Sequence, residues 1–269
     1  LRGQKTIDTP VYNYAKNFNI PIRCPDTINT KQELEFIKNL KVDIAIVVAY
    51  GKILPEELLS NSKIPFINIH ASLLPKWRGA APIQRAIMNM DEETGISFMK
   101  IVKELDAGPV MKSIKINIEK DTTYEDLNQR MSFLSATAVI ECLNTIEKKQ
   151  EKFIPQDDTK ATYAKKINKL EGKISWNDKA KNIIAKINAL YPNPGSWFEL
   201  NRLRIKVLKA KEVKIKGSPG EIINNNFVIG CGENSIQILQ LKKEGKNKMT
   251  AIDFLNGNSL ETGKNLNEI

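Results

Sequence analysis

Apolar and polar positions follow two different patterns along the chain, which predicts two different halves. In the first half, Val42 to Tyr50 is an almost continuous apolar, β-branched run, typical of a central parallel strand. Such runs then alternate with apolar residues spaced three or four apart, as in a doubly wound α/β domain. The further predicted strands are Ile64 to Ile69, Thr94 to Val102 and Val110 to Ile118, and the predicted helices are Lys31 to Leu40, Pro82 to Met90 and Thr123 to Lys148.

The second half contains short runs in which apolar and polar residues alternate. A predicted helix, Trp176 to Leu190, ends at the sequence Tyr191-Pro192-Asn193-Pro194-Gly195. The five short strands that follow are separated by turns and suit a small, OB-like β-barrel. They are predicted over Ser196 to Leu200, Leu203 to Val213, Gly220 to Ile223, Asn226 to Cys231 and Ile236 to Leu241.

A polar segment over residues 151–165 shows no clear periodicity before Tyr163, so we predict a linker there. The expected organisation is a first domain over residues 1–150, this linker, and a second domain over residues 166–269. A length of 269 residues exceeds that of most single domains and agrees with two of them.

The only histidine of the chain, His70, directly follows the predicted strand Ile64 to Ile69. Ligands of open α/β sheets bind at the carboxyl ends of strands, and any step that needs an imidazole must use this residue. Asp106 lies in a glycine-containing turn after the next strand, placed to approach the histidine. With Asn68, these residues would supply an amide donor, a base and a carboxylate. The alternatives are a histidine that is hydrogen-bonded for structural reasons and an aspartate that serves only its turn.

Cysteine usage and hydropathy exclude several classes of protein. Cys24, Cys142 and Cys231 are far apart, match no metal-ligand spacing and suggest no secreted disulfide framework. No apolar run is long enough to span a membrane, and no Gly-x-Gly-x-x-Gly loop indicates a nucleotide cofactor. We therefore expect a cytoplasmic protein with no metal site and no membrane partner.

Positive charge is concentrated in the second half. Residues 1–150 carry a net charge of +2, whereas residues 151–269 carry +8 of the total of +10. Two stretches of the second half could form one basic face on folding, and they contain Arg202, Arg204, Lys206 and Lys209, and Lys242, Lys243, Lys246 and Lys248. Such a face attracts polyanions and contacts nucleic-acid backbones. A solvated, lysine-rich surface is the alternative.

The segment Asn68 to Gln84, with the sequence NIHASLLPKWRGAAPIQ, resembles the signature of the folate-dependent formyltransferase family. The resemblance continues through Glu104 to Gly108, Pro155 to Asp157 and Glu244 to Met249, and so extends over nearly the whole chain. It is most detailed with the members that act on initiator methionyl-tRNA. It implies a Rossmann-like catalytic domain followed by a small β-barrel domain that binds tRNA. Of the basic residues in the second half, we expect Arg204, Lys206, Lys243 and Lys246 to bind tRNA.

The resemblance also implies a reaction and a site. The reaction is transfer of a formyl group from 10-formyltetrahydrofolate to the α-amino group of methionyl initiator tRNA, by a monomer in the bacterial cytoplasm. The resemblance assigns catalysis to Asn68, His70 and Asp106, and folate binding to a loop formed by Ser72, Leu73, Leu74 and Pro75. The sequence leaves open whether His70 acts as a base towards the attacking amine or as a cationic donor to the oxyanion.

The chain departs from the family at its start. Family members have a strand, a helix and a second strand before the basic loop that Arg2-Gly3-Gln4-Lys5 resembles, so we expect the sequence to be part of a longer chain. Within this loop Arg2 matches an arginine of the family, and we expect it to contact the acceptor end of tRNA. A flexible terminal arginine is the alternative.

Two other functions remain open at this point. One is formylation of a small amine, such as glycinamide ribonucleotide or an amino sugar nucleotide, and enzymes of the latter class can carry a similar second domain. The other is RNA binding by a non-catalytic relative. The basic second half and Gly245 to Met249 favour tRNA, while the intact Asn68, His70 and Asp106 argue against a loss of catalysis.

Overall fold

The computed structural model describes residues 8–61, 65–258 and 260–267. The prediction for Arg2 lies outside these residues. Those that are described group into two units, one formed by residues up to 44 with residues 52–65, and the other by residues 45–51 with residues from 66 onward.

The first unit contains three short helices, α1 (Pro10–Asn17), α2 (Lys31–Lys38) and α3 (Glu56–Asn61). The second of these agrees with the predicted helix Lys31 to Leu40. It begins at Thr30, whose hydroxyl accepts a hydrogen bond from the amide of Glu33 at 3.3 Å. The Glu33 carboxylate is also hydrogen-bonded by Arg23, and this contact lowers its pKa.

The second unit begins with a four-stranded sheet in the order β1-β2-β4-β5. The strands of this part of the chain are β1 (Ala45–Val48), β2 (Phe66–His70), the two-residue β3 (Arg78–Gly79), β4 (Glu93–Lys100) and β5 (Val110–Asn117). The predicted strands are thus present. Within this four-stranded sheet only β1 and β2 are parallel to each other, whereas β4 runs antiparallel to both of its neighbours. The first strand is shorter than the predicted Val42 to Tyr50 because its pairing with β2 covers only four residues.

Two helices of this unit follow the predicted bounds closely. They are α4 (Pro82–Met88) and α5 (Tyr124–Glu147). A capping box formed by Thr123 and Asp126 begins the longer helix, and its buried stripe includes Leu127 and Met131.

The connection between the two halves lies along the first half rather than away from it. Ile154 exchanges backbone hydrogen bonds with Val110, at 2.9 Å in each direction. The short strand β6 (Tyr163–Ala164) pairs with β3 in parallel. Both contacts bring the predicted linker next to the segment that follows His70.

The second half folds into a six-stranded antiparallel sheet in the order β7-β8-β11-β10-β9, with β12 paired to β11. Its elements are α6 (Ala180–Leu190), β7 (Ser196–Leu200), β8 (Leu203–Val213), β9 (Ile222–Asn224), β10 (Val228–Gly230), β11 (Ser235–Lys243), β12 (Lys248–Thr250) and α7 (Ala251–Asn256). The predicted fold class, an α/β domain followed by a small β domain, is confirmed.

Three details of the second half differ from the prediction. The helix α6 begins at Ala180 instead of Trp176, because residues 175–178 form a turn in which the amide of Asp178 donates to the carbonyl of Ser175 at 3.1 Å. Trp176 itself is buried against Phe198, with ring centroids 5.6 Å apart. The strand β12 and the helix α7 were not predicted. The helix has only six residues, and its buried Phe254 stacks on Phe227 at 5.5 Å.

In the part of the chain that the structure describes, no helix has the length and apolar composition to cross a membrane.

Candidate active site

His70 is the last residue of β2 and is buried, with 5% of its surface exposed. Its Nε2 lies 2.9 Å from the carbonyl oxygen of Trp77. A carbonyl can only accept, so this nitrogen carries the hydrogen of the bond. The other ring nitrogen, Nδ1, faces the Oδ2 atom of Asp106 at 3.7 Å.

Asp106 reaches the histidine by a route that the sequence did not indicate. The prediction placed Asp106 in a turn after the next strand, where it could approach the end of β2. However, β4 is antiparallel to β2, and its last residue, Lys100, pairs with Ile67 near the beginning of β2. The loop after β4 therefore begins near the start of β2 and must bring Asp106 back to His70 at the end of that strand. The Asp106 carboxylate is held there by the amide of Gly79, which donates to Oδ2 at 2.8 Å.

The separation of 3.7 Å between Nδ1 and Oδ2 is too long for a hydrogen bond but short for a water-filled gap. Catalytic hydrogen bonds are often this long before a substrate binds. With Nε2 occupied by Trp77, Nδ1 is the ring nitrogen that can take up or release a proton. The carboxylate of Asp106 is placed to stabilise a proton at that atom.

Asn68 lies two residues before His70 on β2, and therefore on the same face of the sheet. Its side chain is half-buried. Among the residues that the structure describes, none hydrogen-bonds to its carboxamide. Its two N–H donors are consequently free to bind a ligand beside the histidine.

The predicted folate loop begins directly after β2 and is hydrogen-bonded by Ser97 of β4. Ser97 is buried, and it was not predicted as a site residue. The Ser97 hydroxyl donates to the carbonyl oxygen of Ser72 at 2.8 Å and accepts from the amide of Leu74 at 3.1 Å. Ser72 is fully buried and donates to the carbonyl of Lys76 at 2.5 Å. A serine within the apolar run Thr94 to Val102 was the signal in the sequence.

The apolar part of this loop is formed by Leu73, Leu74 and Pro75, which are all half-buried. Gly95 makes room for it, since a Cβ atom at this position would lie 2.4 Å from Cδ2 of Leu73. The loop thus presents apolar side chains and backbone groups next to Asn68 and His70.

Two further residues, which the sequence did not indicate as part of the site, support the turn that carries Asp106, one directly and one through the other. Gln156, in the predicted linker, donates to the carbonyl oxygens of Asp106 and Gly108. Arg78 is buried and donates to the side-chain oxygen of Gln156. Among the residues described, no group of three or more His, Cys, Asp or Glu side chains could hold a metal ion.

A row of lysines crosses three strands of the second half. Lys206 of β8 lies opposite Lys242 of β11, which lies opposite Lys248 of β12. Like charges in such positions repel each other, and no acidic residue interrupts the row. Burial, followed by the charges of Lys242 and Arg204, lowers the pKa of Lys206. This surface, which we call the lysine row, is a concentrated positive patch.

Two of the four residues of the second half that were predicted to bind tRNA, Arg204 and Lys206, lie at one end of this row. Arg204 is on the same face of β8 as Lys206, and its guanidinium lies 3.8 Å from the ring centroid of Trp197. Trp197 is itself opposite Lys206 on β7.

Lys243 does not join this face. It lies opposite the buried Ile205, and its Nζ donates to Asn258 at 2.8 Å and lies 5.0 Å from the Phe254 ring centroid. Successive residues of a strand point to opposite sides, so Lys242, which was also predicted for the basic face, lies in the row and Lys243 does not. Lys246 lies exposed in the turn between β11 and β12.

Comparison with known proteins places the chain among formyltransferases. Residues 8–143 match the family described as formyl transferase, and residues 166–259 match the family described as formyl transferase, C-terminal domain. The methionyl-tRNA formyltransferase of Pelagibacter ubique is 46% identical over 270 residues, with coverage of 100% of this chain and 87% of the relative.

Solved structures share the fold at lower identity. An N-formyltransferase from Helicobacter canadensis, solved with folinic acid and dTDP-3-aminofucose, has a TM-score of 0.68 at 20% identity and covers 86% of this chain and 84% of its own. The methionyl-tRNA formyltransferase from Clostridium thermocellum has a TM-score of 0.60 at 19% identity, and the match covers 76% of this chain and 88% of that one.

Proposed function

Since this chain belongs to the formyl transferase family, and within it to the methionyl-tRNA formyltransferases, we propose that it transfers the formyl group of 10-formyltetrahydrofolate to methionyl initiator tRNA. The acceptor is the α-amino group of the methionine. The observation that carries the proposal for the site is the arrangement of His70, with Nδ1 facing Asp106 at 3.7 Å.

The three polar residues divide the work of formyl transfer. The amine must lose a proton as it adds to the formyl carbon, and His70 Nδ1 with the Asp106 carboxylate can receive it. The bond between the formyl carbon and N10 of the folate then breaks, and the same proton can pass to N10, so that tetrahydrofolate leaves. Negative charge develops on the formyl oxygen, and the free carboxamide of Asn68 can donate to it. One donor of this kind is typically worth about 3 kcal/mol of transition-state stabilisation.

The loop formed by Ser72, Leu73, Leu74 and Pro75 fits a reduced folate. A pterin is flat and rich in amide-like groups, so it suits a slot with apolar walls and backbone hydrogen-bonding groups. Leu73, Leu74 and Pro75 provide the walls, and Ser97 keeps the loop in place from the sheet. When bound, the folate supplies the activated formyl group.

The lysine row supports a polyanionic acceptor. Lys206, Lys242 and Lys248 are adjacent across three strands, and repulsion among them disfavours this arrangement in the free protein. A phosphate backbone would neutralise them and release counterions. We propose that tRNA lies along this row, with Arg204 at one end and Lys246 in the neighbouring turn. The contact of Arg2 with tRNA, action in the cytoplasm and a monomeric state remain predictions.

A competition between acceptors tests the proposed function. Formyl transfer from labelled 10-formyltetrahydrofolate is measured with methionyl initiator tRNA, with uncharged initiator tRNA and with a nucleotide-linked amino sugar. We expect product only from the charged tRNA, because the other tRNA lacks the amine and the sugar nucleotide cannot occupy the lysine row. Transfer to the amino sugar at an equal or higher kcat/KM would contradict the proposal.

A further inference from the structure

Two of the three proposed catalytic side chains, those of His70 and Asp106, are held by main-chain groups of one short segment, residues 77–79. The carbonyl of Trp77 accepts from His70 Nε2 at 2.9 Å, and the amide of Gly79 donates to Asp106 Oδ2 at 2.8 Å. The distance between the imidazole and the carboxylate therefore depends on the position of this segment.

The connection between the two halves holds that segment. The amide of Trp77 donates to the hydroxyl of Thr162 at 2.9 Å, and the amide of Arg78 donates to the Thr162 carbonyl at 2.8 Å. The pairing of β3 with β6 continues the contact to Gly79. Residues outside the predicted catalytic domain thus fix one side of the site.

Gln156, from the same connection, holds the other side, which is the turn that carries Asp106. Its Nε2 donates to the carbonyl oxygens of Asp106 at 2.8 Å and Gly108 at 2.7 Å. Asp106 has a φ of 48°, a left-handed conformation that a residue with a side chain rarely keeps without support. The turn is also packed tightly against the sheet, since a Cβ atom at Gly108 would lie 1.8 Å from the Lys100 carbonyl oxygen.

Arg78 fixes the orientation of the Gln156 carboxamide. Its Nε and Nη2 donate to Oε1 of Gln156 at 3.0 and 2.8 Å, so the amide nitrogen must face the two carbonyls. The Arg78 side chain is 4% exposed, and its other partner is Asp158. A buried guanidinium is stable only when its donors are satisfied, which ties Arg78 to this geometry.

We propose that Gln156 is a positioning residue for formyl transfer. It holds the Asp106 turn so that the carboxylate faces His70, and Arg78 keeps its carboxamide in the required orientation. The inference rests on the proposed roles of His70 and Asp106. A displacement of about 1 Å at a reacting group can cost about 100-fold in rate, so loss of this support should affect turnover rather than binding.

The test is the variant Gln156→Glu, which keeps the contact with Arg78 but cannot donate to the two carbonyls. We expect kcat for formyl transfer to methionyl-tRNA to fall by roughly 10- to 100-fold. We expect KM for 10-formyltetrahydrofolate to change by less than about threefold, because Ser97 holds the folate loop independently. Asp157→Asn is the matched control, since this neighbouring, exposed residue bonds Thr159 and Lys160 and does not touch the Asp106 turn.

A double-mutant cycle separates positioning from general stability. If Gln156 acts through Asp106, adding Gln156→Glu to Asp106→Asn should lower kcat by less than about twofold further. Independent, multiplying losses would overturn the inference, and so would full kcat in Gln156→Glu. If that variant does not fold, as judged by thermal unfolding, the near-isosteric Gln156→Met serves in the same cycle. Full kcat in Asp106→Asn would contradict the proposed catalytic role of Asp106 and, with it, the positioning role of Gln156. A loss of kcat in Asp106→Asn combined with full kcat in Gln156→Glu would contradict only the positioning role.

Discussion

The roles of individual atoms in the site follow from which hydrogen-bonding groups are already occupied. His70 Nε2 is bound to a carbonyl, so proton transfer falls to Nδ1, whether the imidazole acts as a base or as a cation. Both possibilities that the sequence left open therefore use the same nitrogen. The Asn68 carboxamide, in contrast, has no partner among the described residues, and its N–H donors are available to the formyl oxygen.

Asn68→Ala should lower kcat by roughly 100-fold or more, which is the usual loss for one oxyanion donor. Folate affinity should change little, because the carboxamide is proposed to bind charge that develops during the reaction. Steady-state kinetics with methionyl-tRNA would measure this, with the exposed Asn128→Ala of α5 as a control. A loss confined to KM would indicate a role for Asn68 in binding alone.

At the scale of elements, the folate loop depends on the sheet beneath it. Ser97 satisfies one amide and one carbonyl of the loop and also contacts the Ser113 hydroxyl at 3.2 Å. Ser97 is fully buried, so its removal leaves two polar groups of the loop without a partner and out of water.

Ser97→Ala should therefore lower the free energy of unfolding by about 1–3 kcal/mol and raise KM for 10-formyltetrahydrofolate. Ser113→Ala is a matched control, because it removes a contact with Ser97 but none with the loop. Denaturant unfolding and initial rates at varied folate concentration would measure both effects. Equal effects in the two variants would show that the loop does not depend on Ser97.

The lysine row makes a second prediction at this scale. Lys206→Gln should weaken tRNA binding and flatten the slope of log affinity against log salt by a little less than one. Lys211→Gln is the control, since Lys211 lies exposed on the same strand, opposite Gln237. Binding titrations across a salt series measure the slopes, and identical slopes for both variants would mean that the row is only solvated surface.

The same substitution should raise the thermal unfolding midpoint near neutral pH. The lowered pKa of Lys206 means that its charged form is disfavoured in the folded protein, mainly by burial. This penalty is fully present below the folded pKa and is lost as the pH rises towards 10.5, the ordinary pKa of lysine. The difference in midpoint between Lys206→Gln and the parent protein should shrink over that range. A lower midpoint for the variant at neutral pH would contradict the explanation.

Over the whole molecule, local patterns predicted elements better than they predicted contacts. The strands Ser196–Leu200 and Leu203–Val213 were predicted with their observed bounds, because alternation is visible in the sequence. The approach of Asp106 to His70 was predicted from a turn that follows a neighbouring strand, but the sequence did not show that this strand is antiparallel to β2. Lys243 was predicted to bind tRNA, but it lies on the other side of β11. A bulge in the pairing of β11 with β8 determines which residues of the strand face each side, and the sequence does not show it.

The supporting residues could not be found from local pattern because their partners are distant in the chain. Gln156 is 50 residues from Asp106, and Ser97 is 23 residues from Leu74. The sequence shows a polar residue in the linker or within an apolar strand, but only the fold shows which backbone groups it satisfies. The site thus depends on the first half and on the connection that follows it.

The most direct test of the central claim, that His70 and its surroundings perform formyl transfer to methionyl-tRNA, is a single-turnover measurement with His70→Ala. Labelled 10-formyltetrahydrofolate, methionyl initiator tRNA and an excess of protein are mixed, and formylmethionyl-tRNA is followed with time. We predict a rate about 100- to 10,000-fold below that of the parent protein, with folate and tRNA affinity changed by no more than several-fold. An unchanged single-turnover rate would contradict the claim.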